Sequence, residues 1–569
     1  VDPCMPNFQG INCTCTSAAC NIVSLAPIGG NLKGKIPASI GQLKYLQALH
    51  LFTNQLSGSI PDAIGKLLLL ESLGLENNHL TSMIPSVLGD LILLKQISFG
   101  SNKLTSSIPS VIGNLKLLAA LDLSNNKFVG TIPSILGQLP KLSLLRLQNN
   151  KLIGKIPSGF RALDQMFLDS NMLTGQLPNI KSDRLRVLSV HNNQLKGDLF
   201  TESNVNVVEK LHILQVHNNK FSGKPFSLIN GTESLKVLDL SSNAFTGTLP
   251  NAIFSLLSKL ETFVIGSNCL TGSISEKICD LSNLHTLVLS GMGSGPSCIE
   301  NIWKNTPFDN TFTGYRSKYY IDGTLPECLF RMTSLNQLYA GGNRVLGEFP
   351  SSGISSVLRR ISLPYNSMHG TLPSNLGENN NITLFDLSNN RLSGNISTLK
   401  NINNDNLDLH LSVNNLSGEI PSSIRTLKKI DILPGNVFGC ALGRSEIPIH
   451  DSRVESYECG SNAFNQFLFS FLAIFALVLL IMFYLFQREY PIISEFKFCM
   501  DVIDEKRRIC GENRLQMKSI YRYNYQLFNG MILVLKIGCF LIAFLILYLC
   551  LGGEETRLLQ HNYLWVTSI

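Results

Sequence analysis

Two tryptophans in 569 residues, and only 15% Asp, Glu, Lys and Arg, set the first limits on this chain. No basic run exceeds Lys506-Arg507-Arg508, and the net charge of +7 is spread along the sequence. That leaves no concentrated positive footprint for nucleic acid, so no nucleic-acid partner is expected. No cysteine pair has the Cys-x-x-Cys spacing, which argues against a zinc site despite 14 cysteines. A zincin helix, a nucleophile elbow and a paired-carboxylate arrangement are also missing. One stretch imitates a nucleotide loop, Gly291-Met292-Gly293-Ser294-Gly295, but it runs into Pro296 where a helix should start. The expectation is a protein that is not an enzyme and needs no cofactor. The 44% hydrophobic content excludes disorder, and the length excludes a single core.

What is present is a repeat. LxxLxLxxN opens at Leu46, Leu70, Leu94, Leu118 and Leu142, 24 residues apart. Further units open at Leu163, Leu185, Leu211, Leu235, Leu260, Leu284, Leu335, Leu358, Ile382 and Asn406. A first unit from about Val23 brings the total to sixteen. In each, the leucines point inward from a short strand, and the Asn side chain satisfies backbone groups where the chain turns away. Asn54, Asn78, Asn102, Asn126 and Asn150 should therefore stack as a ladder. In the following LxGxIP half, Gly permits a backbone other residues resist, and Pro sits where no donor is needed. Ser82 and Ser106 replace that Gly, and Ser275 and Ser397 replace the Pro, so different local twists are expected there. No unit buries its apolar face alone, so stability is a nearest-neighbour sum.

The pattern resembles the plant-type leucine-rich repeat of cell-surface receptor ectodomains, over about Val23 to Cys459. The resemblance implies an α/β solenoid at 23–429, between an N-terminal cysteine-rich cap (1–22) and a C-terminal cap (430–460). The N-terminal cap carries Phe8 where Trp is usual. LPGNVFGC and SYECG mark the C-terminal cap and imply a Cys440–Cys459 bridge. The start at Val1, with no apolar leader, suggests a mature chain. One unit is twice the usual length, with an insertion at about 292–322 that holds Trp303 and several other aromatics. Similar receptors use such an island to bind ligand; the alternative is a loop covering its own repeat.

Ten cysteines (Cys4, Cys13, Cys15, Cys20, Cys269, Cys279, Cys298, Cys328, Cys440 and Cys459) precede the first long apolar run, in three clusters. That is a disulfide layout. Sequons at Asn12, Asn230, Asn381, Asn395 and Asn415 point the same way, to an extracellular or lumenal, glycosylated domain.

Residues 467–486 carry no charge and have the length of a membrane span. A second apolar run, 531–551, carries only Lys536, which can snorkel. The intervening loop, 487–530, holds eight Lys or Arg, whereas the tail, 552–569, has only Arg557. The positive-inside rule places the loop in the cytoplasm, with the repeats and the short tail outside, at the plasma membrane or another membrane of the secretory pathway.

Binding then falls to the outward positions of the strands. Two residues before the Asn, successive units present Asp169, His191 and His217, in one row at about 4.8 Å spacing. Such a row is either a pH-sensitive or anion-binding site, or an ordinary solvated face. Just beyond the insertion lie Tyr339, Arg359, Arg360 and Tyr365. Similar receptors hold a peptide carboxylate with alternate arginines; here the arginines are adjacent. The expected function is a kinase-less receptor-like protein, anchored in membrane lipid, that binds an extracellular peptide, protein or glycan and signals through a membrane co-receptor or other subunit. The alternative is a structural or adhesion scaffold that uses the repeats for docking.

Overall fold

A computed structural model of the chain describes residues 10–439 and 446–457, with short breaks at 17–19, 28–29, 200, 202–209, 227–232, 296–297, 302–314, 318–320, 322 and 352. It also describes Cys4 and Cys459, and beyond them Ile474, Leu477 and Ile481 alone. The chain divides into two units, Val1–Asn465 and Gln466–Ile569.

The first unit is a solenoid. Each LxxLxLxxN motif contributes a three-residue strand, such as Ser72–Gly74 or Ala120–Asp122, whose central Leu is fully buried. These strands join consecutive units into one 18-stranded sheet. The sheet is parallel except at its start, where Ile11–Cys15 pairs antiparallel with Cys20–Leu25. Period-two alternation sends Leu inward and the x residues to the opposite, outer face of that sheet.

The LxGxIP half builds a second, discontinuous set of short parallel strands, for example Val129–Thr131 beside Lys151–Gly154. Short 3-10 helices such as Ser110–Asn114 then return the chain. Glycine is needed in that return for closeness: a Cβ on Gly113 would lie 2.2 Å from Ile135 Cγ1 of the next unit.

The asparagine ladder forms. Asn102 Nδ2 donates to the Leu75, Phe99 and Gly100 carbonyls, and its Oδ1 accepts from the Leu80 amide at 2.9 Å. The pattern repeats through Asn268, is interrupted where Met292 stands in the Asn position, and resumes at Asn343. Ser82 and Ser106 do not alter the twist. They hold the glycine's left-handed backbone, at φ 71° and 70°, close to the 77° of Gly58 and Gly130. An L side chain there costs about 1–2 kcal/mol.

The parallel sheet runs one strand further than the repeat count implies, to Lys429–Asp431, at the edge of the expected cap. One extra residue separates this strand from its ladder residue, Asn436. The buried Asp451 fills the gap by accepting from the Ile432 and Leu433 amides at 2.7 and 3.1 Å. Tyr457 closes the end, its hydroxyl accepting from the Phe438 amide at 2.7 Å.

Disulfides join Cys4 to Cys13, Cys15 to Cys20, Cys269 to Cys298 and Cys279 to Cys328. Cys459 is also disulfide-bonded; Cys440 lies outside the described residues. The last two of the four bridges pin both ends of the insertion to the solenoid. Inside it, Ile299–Asn301 and Tyr315–Ser317 form a small antiparallel pair, and the frame resumes where Ile321 bridges Gly272. Trp303 and Asn230 lie outside the described residues. Among the described residues, no helix is long and apolar enough to cross a membrane. Nearly all of 467–486, and all of 531–551, fall outside them.

Candidate functional site

Each repeat lends the outer face of the long sheet columns of side chains at alternate positions: the first and last strand residues and the residue two places beyond the last. Parallel stacking in strict register turns each column into a row along the solenoid. Asp169, His191 and His217 share one such row, and the fold brings them together. The two imidazoles stack with centroids 4.1 Å apart and planes 17° from parallel. His191 Nε2 lies 3.5 Å from Asp169 Oδ2. At the other end, His217 Nδ1 lies 2.9 Å from Asp239 Oδ2, in ion-pair contact though not aligned as a hydrogen bond.

Ser189 completes the group. Its hydroxyl donates to Asp169 Oδ1 at 3.1 Å, so at 3.0 Å from His191 Nδ1 it can only accept. Asp239 is further held by the Ser241 hydroxyl at 2.7 Å. Asp239 and Ser189 belong to the neighbouring column, two residues upstream of the row read from the sequence. Applying the register to both columns would have found them.

Burial pushes His191 below its ordinary pKa, with the nearby His217 acting in the same direction; Asp169 and Asp239 pull against them. Asp239 stays below the usual carboxylate range: burial would raise it, but the adjacent His217 imidazole and the hydrogen bonds from Ser241 outweigh that. With His191 held neutral, the two carboxylates outnumber the imidazolium charge the row can carry. The row therefore offers a ligand negative charge, which suits a cationic group better than an anion. At its start the Gln148 side-chain oxygen is buried without a hydrogen bond.

The second group lies elsewhere. Three strands separate Ile213–Gln215 from Gln337–Tyr339, or about 19 Å at the spacing of neighbouring strands. Half-buried apolar residues cross that interval on the outer face as a strip: Val187, Ile213 and Val237 as first strand residues, then Val264, Val288 and Tyr339 as last ones, with Phe167 beyond its start. Asp239, on the Val237 strand, borders the strip where it changes column.

Arg359 and Arg360 follow the strip. Both are exposed, and neither makes an ion pair among the described residues. Tyr339 donates weakly to Gln337 Oε1 at 3.4 Å. Tyr365 is 58% exposed and holds φ 55°. Most units place Asn, Ser, Thr or Gly at that turn, so this unit carries an exposed aromatic on strained backbone. Four sequon asparagines, Asn12, Asn381, Asn395 and Asn415, are exposed.

This geometry agrees with the comparisons to known proteins. Leucine-rich-repeat family models match residues 68–128, and four further segments at 45–67, 118–139, 141–163 and 234–256. The chain is a plant-type leucine-rich-repeat protein. It is 29% identical to Receptor-like protein 39 of Arabidopsis thaliana over 210 residues, covering 35% of this chain and 23% of that protein. With Receptor-like protein 35 of the same plant the identity is 33% over 215 residues, covering 34% and 22%. The matched stretch thus spans less than a quarter of each relative.

Among solved structures, the plant peptide hormone receptor RGFR1 in complex with RGF2 superposes with TM-score 0.63 at 28% identity, over 75% of this chain and 68% of that one. The TDR receptor gives 0.62 at 28%, over 73% and 68%. The Arabidopsis receptor kinase HAESA, solved with the peptide hormone IDA and the co-receptor SERK1, gives 0.53 at 29%, over 72% and 73%. This leucine-rich-repeat chain therefore shares the ectodomain architecture of plant receptors, including ones solved with peptides bound.

Proposed function

We propose that this chain is a membrane-anchored, kinase-less receptor that binds an extracellular peptide across the outer face of its long sheet and signals through a recruited partner. The observation that carries the reading is the apolar strip from Val187 to Tyr339 that ends at two unpaired guanidinium groups. An extended peptide buries apolar side chains along such a strip, and its terminal carboxylate meets the planar, forked donors of Arg359 or Arg360. At the other end, the Asp169–His191–His217–Asp239 row suits a basic side chain or a free amine. A compact protein or a neutral glycan would use these separated, oppositely charged ends less well. The comparison receptors solved with peptide hormones support the reading.

Anchoring rests on 467–486 and 531–551, with 487–530 in the cytoplasm. Ile474, Leu477 and Ile481 are helical and 64%, 57% and 50% exposed, as side chains facing lipid would be. A 44-residue loop is too short to hold a catalytic domain, which favours a signal that leaves through a recruited protein. The test is purification of the full-length chain from its native membranes in mild detergent, with mass spectrometry of everything retained. A small peptide or a co-purifying kinase supports the receptor. A fixed-stoichiometry partner set with neither would replace it with a docking scaffold.

A further inference from the structure

The second set of strands forms a flank distinct from the sheet face just described, and its charge is one-sided. Lys103, Lys127 and Lys151 occupy the same sequence position in three successive units, staggered along the flank because the pairing sets Lys151 beside Val129 and Lys103 beside Thr81. Lys155, Lys196 and Lys220 extend the series, Lys196 and Lys220 being direct register partners. All six are exposed, and none makes an ion pair or side-chain hydrogen bond among the described residues. The Lys155 stem lies across the next unit, its Cγ 3.0 Å from where a Cβ on Gly175 would stand. Asp198 is the only carboxylate at the outward positions of this stretch among the described residues.

Three further observations narrow what would cover such a surface. The lysines follow one another over six consecutive units, Lys151 and Lys155 sharing one and the unit of Met172–Gly175 having none, and so elongated a patch matches a linear polymer better than the curved face of a globular acidic protein. Between them, Thr131 and Thr174 offer exposed hydroxyls, while Val129 and Ile153 are 44% and 46% exposed. Sugars use both, through ring hydroxyls and apolar ring faces. Finally, two sequons, Asn395 and Asn415, sit on the same flank but at its C-terminal end, on paired strands. The lysine-bearing stretch has no described sequon, so a glycan chain would not shield it from a large partner.

We propose that this flank is a docking surface for a linear acidic polysaccharide, a polymer carrying a carboxylate on each sugar. Its sugars lie along the solenoid with their carboxylates near successive ammonium groups, leaving the peptide-binding face free. Attraction of this kind weakens steeply as salt rises, because each contact releases a condensed counterion.

The test is titration of the full-length protein with unesterified polygalacturonate at two salt concentrations. Its fully methyl-esterified form serves as neutral control, and vesicles containing anionic lipid as the competing surface. The charge reversal Lys103→Glu/Lys127→Glu/Lys151→Glu is compared with Lys44→Glu/Lys66→Glu/Lys141→Glu, which makes the same change in net charge at exposed lysines on or beside the returning helices. All six positions are exposed, so both variants should fold, with thermal midpoints close to the parent. The proposal expects salt-sensitive binding of the acid form alone, weakened about tenfold or more by the first triple and little by the second. Equal weakening by both triples would overturn it as overall charge attraction. Equal binding of the ester, preference for vesicles, or no binding would also overturn it.

Discussion

Replacing Asn268 with Ala tests the ladder where it is thinnest. Asn268 is fully buried, and its side chain makes four hydrogen bonds. It accepts from the Phe245 amide at 3.1 Å and donates to the Leu240, Ile265 and Gly266 carbonyls at 3.1, 2.9 and 3.1 Å. After truncation, Leu240 keeps the Asn243 amide and Gly266 keeps the Ser242 amide. The Phe245 N–H and the Ile265 carbonyl are left with nothing, because Met292 stands where the next ladder Asn would donate. Two buried orphans at about 1–3 kcal/mol each put the loss at about 2–6 kcal/mol. At Asn126 the ladder is intact on both sides: each carbonyl it serves has a second donor, and only the Leu104 amide is orphaned. Asn126→Ala should cost about 1–3 kcal/mol.

Denaturant unfolding gives the order, and hydrogen exchange at the Phe245 amide gives the location. The local readout matters because a repeat array need not unfold in one step. The exposed Lys66→Ala, at the end of a returning helix, serves as the neutral reference. Asn268→Ala losing no more stability than Asn126→Ala would refute the orphan-counting argument.

Three further outcomes follow from the same structure. The lowered pKa of His191 means that the unfolded chain binds the proton first, so stability falls as pH drops below the ordinary 6.5 toward the folded value. Thermal midpoints at pH 7 and 5 should therefore separate less in His191→Gln than in the parent; an equal or larger separation contradicts this. Ser106→Gly should raise stability by about 0.5–1 kcal/mol, since glycine relieves the left-handed strain but loses more chain entropy. A lower denaturation midpoint would show that the serine side chain contributes more than the strain costs. Arg360→Ala should weaken retention of a peptide ligand by roughly tenfold with an unchanged thermal midpoint, whereas undiminished retention removes the carboxylate contact.

The solenoid was legible because its cause is local and repeated. A 24-residue period, inward leucines and one Asn per turn leave little freedom, and the ladder from Asn54 to Asn150 forms as the register implies. The exceptions were harder to read. Ser82 and Ser106 kept the glycine conformation because the paired strands on either side over-determine it, which no composition rule shows. Lys429–Asp431 escaped the count because its Asn is one place late and Asp451 supplies the missing acceptor from 19 residues away. At the binding face, register placed Asp169, His191 and His217 correctly. Their partners Asp239 and Ser189 come from a second column, and the neutrality of His191 depends on burial, which a sequence does not display. The lysines were in plain view, but they share one flank only once the second set of strands is in place.

Hydrogen exchange of the full-length protein with and without its retained ligand addresses the apolar strip of the long sheet directly. The prediction is slowed exchange from the Val187–Ser189 strand through Arg360–Ser362, with the returning helices unchanged. Protection confined to the returning helices, or no ligand-dependent protection anywhere on the long sheet, would contradict it.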